Sequence, residues 1–458
     1  MDKVTVSATS MLQRRVLAAT SISYAVVLLD ASIVNVALER ISKALATDIA
    51  GLQWIVSAYT LAFASLLLTG GISGDRWGAR NMYLAGLIVF ILASALCGLA
   101  PDLMILIAAR TLQGVGAAML VPCSLTLISH AYPHPQQRAS AIGVWVGCGG
   151  VAMAAGPLVG GILIHLFDWR SIFLVNAPIG VVGIWLTCRI PRDKRSLHAR
   201  PFDPAGQITA MLALGALIAV LIEGSRLGWR SPTILAGMTI DGMAWVAFLL
   251  IEARRSHPML PLPLFKNAIF SGSTLISMVS AFVFYGLTFL LGLYFQRVHG
   301  YSPLWTGLSF LPLTAVMVVG SMLSGPLVAR YGQRWPMCAA FGLYMLGFLG
   351  LTLLTPASPY WLAALSMPAI GIAAGFISPA ATAPAIGTVE KSQAGIAAGV
   401  LNSARQTGAA LGIAVFGTLI ATSPSFENGM HAALWIAAAA SLAAAVIWRL
   451  TITGIPTA

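Results

Sequence analysis

The chain has 458 residues; 58% are apolar, 45 more are glycine, and only 9% are charged. A soluble globular chain carries roughly 45–50% apolar residues, glycine included, and about 25% charged ones. An ordinary soluble enzyme, a disordered chain, collagen and a nucleic-acid-binding fold are therefore excluded. Lys plus Arg is 26 against 14 Asp plus Glu, a balance of +12, which in so apolar a chain reads as basic loops gathered on one side of a membrane.

A bilayer crossing takes about 20 mostly apolar residues at roughly 1.5 Å rise each. Met1–Gln13 is polar, and the first apolar run follows Arg14 and Arg15 with no cleavage site after it. That run reads as a retained first helix, not a signal peptide. In chain order the predicted helices are 15–37, 51–71, 81–99, 103–129, 139–162, 171–190, 205–224, 231–251, 270–293, 303–327, 335–355, 359–382, 393–421 and 431–450. Charged and proline-rich punctuation separates them, and glycine or proline inside a run is no breaker in a membrane. The expectation is an all-α integral membrane protein with fourteen transmembrane helices and both termini cytoplasmic. Eighteen of the 26 basic residues fall in the tails and on the cytoplasmic side, Arg189, Arg192, Lys194, Arg195, Arg200 and Lys391 among them. Six fall opposite: Arg40, Lys43, Arg170, Arg226, Arg230 and Arg297. That bias supports the orientation and the even helix count.

Asp30 lies inside the first predicted helix and Arg110 inside the fourth, which runs the other way. About seven residues separate each from the outer end of its helix, roughly 10 Å of rise, so the two charges share a depth. An intramembrane carboxylate marks a proton path, a cavity or a partner. The pair reads as a proton-titrating acid with a competing cation, or as a static staple between the two helices. Asp241, near the middle of the eighth helix, reads as a second coupling acid or as a polar patch on a peripheral helix.

Gln113 shares a helix face with Arg110. With Asn35, Tyr59, Phe284, Asn402 and Gln406 it forms the candidate lining of a substrate route, alongside Asp30 itself. The alternative for each amide is ordinary interhelical hydrogen bonding. Arg405 stands beside Asn402 and Gln406 and is assigned to gating. Trp54, Trp169, Trp229, Trp305 and Trp361 near outer helix ends are expected as interface anchors. Helix five is crowded with glycine, from Gly143 through Gly156-Pro157 to Gly161. Small faces allow close yet slidable backbone contact, and Pro157 favours a bend.

Asp75, Arg76 and Arg80, in the segment Gly74–Arg80, read as a latch that binds charged partners across two halves of the bundle. The segment has an echo: Ser324–Arg334 sits between the tenth and eleventh helices as Gly70–Arg80 sits between the second and third. Repetition of this kind is a usual build of secondary transporters, with the site between halves. No GxxxxGK[ST] loop, nucleophile elbow, CxxC pair or His/Cys ligand spacing occurs. No metal, cofactor or enzymatic activity is expected.

These motifs, in order, resemble those of the major facilitator superfamily, and within it the fourteen-helix drug:proton antiporter branch. The resemblance is carried by Leu29–Leu38 around Asp30, Gly71–Arg80, Arg110–Gly116, Gly147–Gly161 and Trp169–Gly180. Glu39 stands where the branch commonly has proline, and Ala79 where it has a basic residue. The resemblance implies a six-helix bundle over 1–190, a linker with inserted helices over 191–256, and a second six-helix bundle over 257–458. It implies a monomer in the bacterial cytoplasmic membrane, surrounded by lipid, that exports lipophilic, cationic drugs or antiseptics against protons. The alternatives are a proton-coupled transporter of one metabolite or self-made antibiotic, and a membrane receptor without transport.

Overall fold

The computed structural model describes residues 2–191, 202–255, 258–390 and 393–452. Arg192, Lys194, Arg195, Arg200 and Lys391, counted above among the basic connections, lie outside them. Among the described residues the secondary structure is helical, with no strand.

Among the described residues thirteen helices are long and apolar enough to cross a membrane. They are α1 (Met11–Val36), α2 (Ile49–Trp77), α3 (Ala79–Leu99), α4 (Leu103–Ala131), α5 (Gln136–Leu166), α6 (Ser171–Cys188), α7 (Pro204–Leu227), α8 (Pro232–Arg254), α9 (Ala268–Val298), α10 (Pro303–Tyr331), α12 (Tyr360–Gly387), α13 (Ala394–Thr422) and α14 (Phe426–Ile452). The expected helix at 335–355 is α11 (Arg334–Leu351), 18 residues long and opened by Arg334, Trp335 and Pro336. At 18 residues it has no length to spare, so those three fall within its bilayer-length stretch.

Helices α1–α6 pack chiefly on one another, and so do α9–α14. The two sets meet where α2 crosses α13 and where α5 crosses the start of α10. Helix α7 lies against both α2 and α13, and α8 packs on α7. Gln207 at the start of α7 donates to the Ser65 carbonyl at 2.8 Å, and Trp54 of α2 donates to Glu223 near its end at 2.9 Å.

Contacts between helix ends fix direction. Gln13 of α1 donates to the Ala131 carbonyl at the end of α4, and Trp448 of α14 donates to the Gln333 carbonyl before α11. Gly161 at the end of α5 abuts Pro303 at the start of α10, so the two sets run in register, and the start of α1 and the end of α14 lie at one end of the bundle, called proximal below; the opposite end is distal.

The segment expected as a loop at 74–80 is mostly helix. Helix α2 runs on through Trp77, and the reversal is made by Gly78 alone, at φ +92°. Its echo is similar, with α10 running to Tyr331 before the two-residue turn of Gly332, at φ +74°, and Gln333. Only glycine takes such a dihedral without strain. Arg76 lies over the Trp77 ring and Arg330 over the Tyr331 ring. The repeated sequence thus encodes a repeated tight turn built on a positive-φ glycine.

Candidate functional site

In the distal half of the bundle Asp30 and Arg110 meet at 2.5 Å, both wholly buried. The depth match read from sequence has become contact. Helix α1 brings Asp30, α4 brings Arg110 and Gln113, α3 brings Ser94 and α6 brings Asn176. Oδ2 of Asp30 accepts from Arg110 Nη1, and Oδ1 accepts from Gln113 Nε2 and Asn176 Nδ2, each at 2.8 Å. Asn176 also donates to Ser94 Oγ at 2.9 Å, and Ser94 donates to the Phe173 carbonyl at 2.8 Å. Three charge-assisted bonds hold the carboxylate.

Arg110 has support besides Asp30. Nη1 donates to Gln113 Oε1 at 2.7 Å and Nε to the Ile55 carbonyl at 3.2 Å. Its guanidinium carbon lies 4.4 Å from the Tyr59 ring centroid and 5.7 Å from that of Phe173. Nη2 is buried with no hydrogen-bond partner among the described residues. A guanidinium over aromatic faces keeps part of its stabilisation when a carboxylate is lost. The arrangement suits a pair whose acid gains and loses a proton while the cation stays in place.

Asp30, Arg110, Gln113 and Tyr59 are thus brought together, and Gln113 faces Asp30. Asn35 and Phe284 line a separate small void of about 20 Å³, room for about one water, with Met153, Pro157, Tyr285 and Thr314. Asn402 and Arg405 form a third group: Arg405 donates to Asn402 Oδ1 at 2.7 Å and to Ser378 Oγ at 2.6 Å. Gln406 is half-buried at the next position. Asp241 stands apart on α8, which packs on α7.

Gating residues divide in the same way. Arg80 donates to the Thr187 and Cys188 carbonyls at 3.2 and 3.1 Å, at the end of α6. A helix C-terminus presents unbonded carbonyls to a cation, so these bonds stay within the set α1–α6 and do not reach across. Asp75 and Arg76 are exposed. At Gly156 an added Cβ would meet Ser32 Oγ of α1 at 1.8 Å. Pro157 presents its carbonyl to α10, where a Cβ on Gly307 would come within 2.3 Å.

Several polar residues of the Asp30 cage and of the seam are absent from the candidates read from sequence. Gln53 of α2, wholly buried, donates to the Ala414 carbonyl of α13 at 2.6 Å. Asn176 and Ser94 were legible only as polar residues in apolar runs. Trp169, expected as an anchor, is buried edge-on against Phe173. Trp54 bonds Glu223, while Trp229, Trp305 and Trp361 are exposed as expected. Glu39 reaches Arg297 at the end of α9 at 2.5 Å, and Arg297 also donates to Ser42. This is a distal tie between the two helix sets, and both partners are partly solvated, so it is worth about 0.5–1 kcal/mol. Glu39→Gln is expected to raise the population with the distal end open about two- to fivefold. Spin-label distances between the short helix Leu38–Ala44 and the α9–α10 turn would read it; an unchanged distribution would deny the tie any role.

A bundle of this many apolar helices, with a charge pair sealed between its first and fourth members, defines a polytopic membrane protein of the transporter kind. The model of the Major Facilitator Superfamily matches residues 20–413 and 313–457. The chain is 36% identical over 435 residues to the Methylenomycin A resistance protein of Bacillus subtilis, covering 94% of this chain and 93% of that protein. It is 35% identical over 408 residues to the multidrug resistance protein Stp of Mycobacterium tuberculosis, covering 88% and 75%. A bacterial homologue of the human lysosomal transporter Spinster, solved inward-facing and unoccupied, shares the fold at TM-score 0.66 and 18% identity, covering 97% and 99%. The chain belongs to the Major Facilitator Superfamily.

Proposed function

We propose that this protein is a proton-coupled antiporter that exports lipophilic drugs or antibiotics across the bacterial cytoplasmic membrane. In this reading α1–α6 and α9–α14 are two six-helix bundles, residues 1–190 and 257–458, with 191–256 supplying the linker and the inserted α7 and α8. Helix α11, about 27 Å long at roughly 1.5 Å per residue, is the fourteenth crossing, and the proximal end is cytoplasmic.

The observation that carries the reading is the wholly buried pair of Asp30 and Arg110 at 2.5 Å, caged by Gln113 and Asn176. Four helices of one bundle converge on that carboxylate. A proton on Asp30 breaks the pair and loosens α1 from α4, and Arg110 falls back on Gln113, the Ile55 carbonyl and the Tyr59 ring. Because α1 also packs along α5, the change reaches the seam where α5 meets α10. Coupling is then a difference in proton affinity between two seam states. Asp30 acts by titration and does not touch the cargo. The relatives named above are resistance proteins for one antibiotic or for many drugs, which supports export as the direction.

The test is purified protein in liposomes with an imposed pH gradient. A lipophilic dye or antibiotic is expected to accumulate against its gradient, and a protonophore to abolish that. Accumulation indifferent to the protonophore would overturn the coupling.

A further inference from the structure

Among the described residues Arg405 has no carboxylate partner. It sits at mid-length in α13, and its side-chain bonds go to the neutral groups Ser378 Oγ and Asn402 Oδ1. Of the acids in the spans, Asp30 is taken by Arg110, Glu223, Asp241 and Glu252 lie on α7 and α8, and Asp75 and Glu427 stand at the ends of α2 and α14. Tyr24 of α1 and Tyr285 of α9 stand within electrostatic reach of the guanidinium. Tyr24 stacks on Trp145 of α5 at 3.8 Å, and Tyr285 approaches Met153 Sδ at 3.9 Å. Tyr24, Met153, Tyr285, Asn402 and Arg405 all keep part of their surface uncovered although each lies deep within its helix. An arginine offers five N–H donors in a planar fork. Ser378 and Asn402 occupy two of them, and they hold the fork in one orientation.

From this we infer that the cargo is a lipophilic anion, a small molecule with a carboxylate or similar acidic group. Arg405 pairs with the acid, and Tyr24, Trp145 and Tyr285 cover the apolar body. The inference rests on the transporter reading and replaces the cationic cargo expected from family resemblance. An intramembrane cation without a counter-charge is costly, and a ligand that brings the counter-charge removes that cost on binding. A cationic cargo would meet repulsion here and find no free acid. The fork geometry suits a carboxylate, which it grips with two parallel bonds.

Equilibrium binding to the full-length protein in detergent tests this without any proton gradient, so its failure is distinct from failure of proton coupling. Matched probes on 1-naphthyl and 4-biphenylyl skeletons would be titrated calorimetrically: the acetate, its methyl ester, and the methylammonium. The acetates are expected to bind about tenfold or more tighter than either neutral or cationic partner, as a charge-assisted pair requires. R405Q should erase that preference while R405K keeps part of it. Ammonium or ester probes that bind as tightly as the acetates, acetates that do not bind, or an anion preference intact in R405Q would each overturn the assignment.

Discussion

Asp30→Asn is expected to lose proton-driven transport by at least about a hundredfold and to lower stability. The amide is the same size as the acid but holds no exchangeable charge. Its NH2 must face either Arg110 Nη1 or the amide donors of Gln113 and Asn176, and all three positions now donate to Asp30. Breaking a buried ion pair by removing one partner costs about 3–5 kcal/mol, because the other charge is left uncompensated. Here the cost should fall at about 3 kcal/mol, since Arg110 keeps the Ile55 carbonyl, Gln113 Oε1 and the Tyr59 ring. The double variant Asp30→Asn/Arg110→Gln separates the two effects. It removes the stranded cation, so the thermal midpoint in detergent should recover most of the loss while coupled transport stays absent. Proton-driven transport that survives in the single variant would remove Asp30 from the coupling step. Restored coupling in the double variant would do the same.

What was legible in the sequence follows from what a bilayer demands. Every backbone group must be bonded within the helix, so apolar run length alone located the helices, Arg334–Leu351 included. A lone acid and a lone base in opposed helices had to be explained, and equal depth pointed one at the other. Azimuth was not legible, because a strongly apolar helix shows little difference between its faces. Gln113 therefore read as lining when it faces Asp30, and Arg405 read as a gate when its bonds go to Ser378 and Asn402 within its own helix set. Gln53 and Asn176 were invisible as site residues because an amide's role depends on which foreign carbonyl or carboxylate it meets. The segment 74–80, expected as a loop, is mostly helix for a local reason. A glycine at positive φ lets two helices abut with no loop between them, so Arg80 points back to the α6 carbonyls.

Gly307→Val is expected to trap the protein with its distal end open and to cut transport roughly a hundredfold. At the α5–α10 crossing a Cβ on Gly307 would lie 2.3 Å from the Pro157 carbonyl oxygen and 2.9 Å from its carbon, and one on Gly161 would lie 2.7 Å from the Pro303 oxygen. These obstacles are backbone, so no side-chain rotation relieves them. Overpacking typically costs about 1–3 kcal/mol, and the upper figure is a factor of about 150 against the closed distal seam. The proximal stretch of the same pair behaves oppositely. A Cβ at Gly150 of α5 or Gly325 of α10 would meet nothing within 4 Å. If rocking brings these stretches together when the distal end opens, Gly150→Val leaves the present state unstrained and penalises only the alternate one. The two valines should therefore both stop transport while driving the seam in opposite directions. Cysteine pairs placed across each end, scored by cross-linking, would read the difference. Identical cross-linking in the two variants would mean that α5 and α10 do not exchange contacts from end to end, and that the seam opens by some other movement.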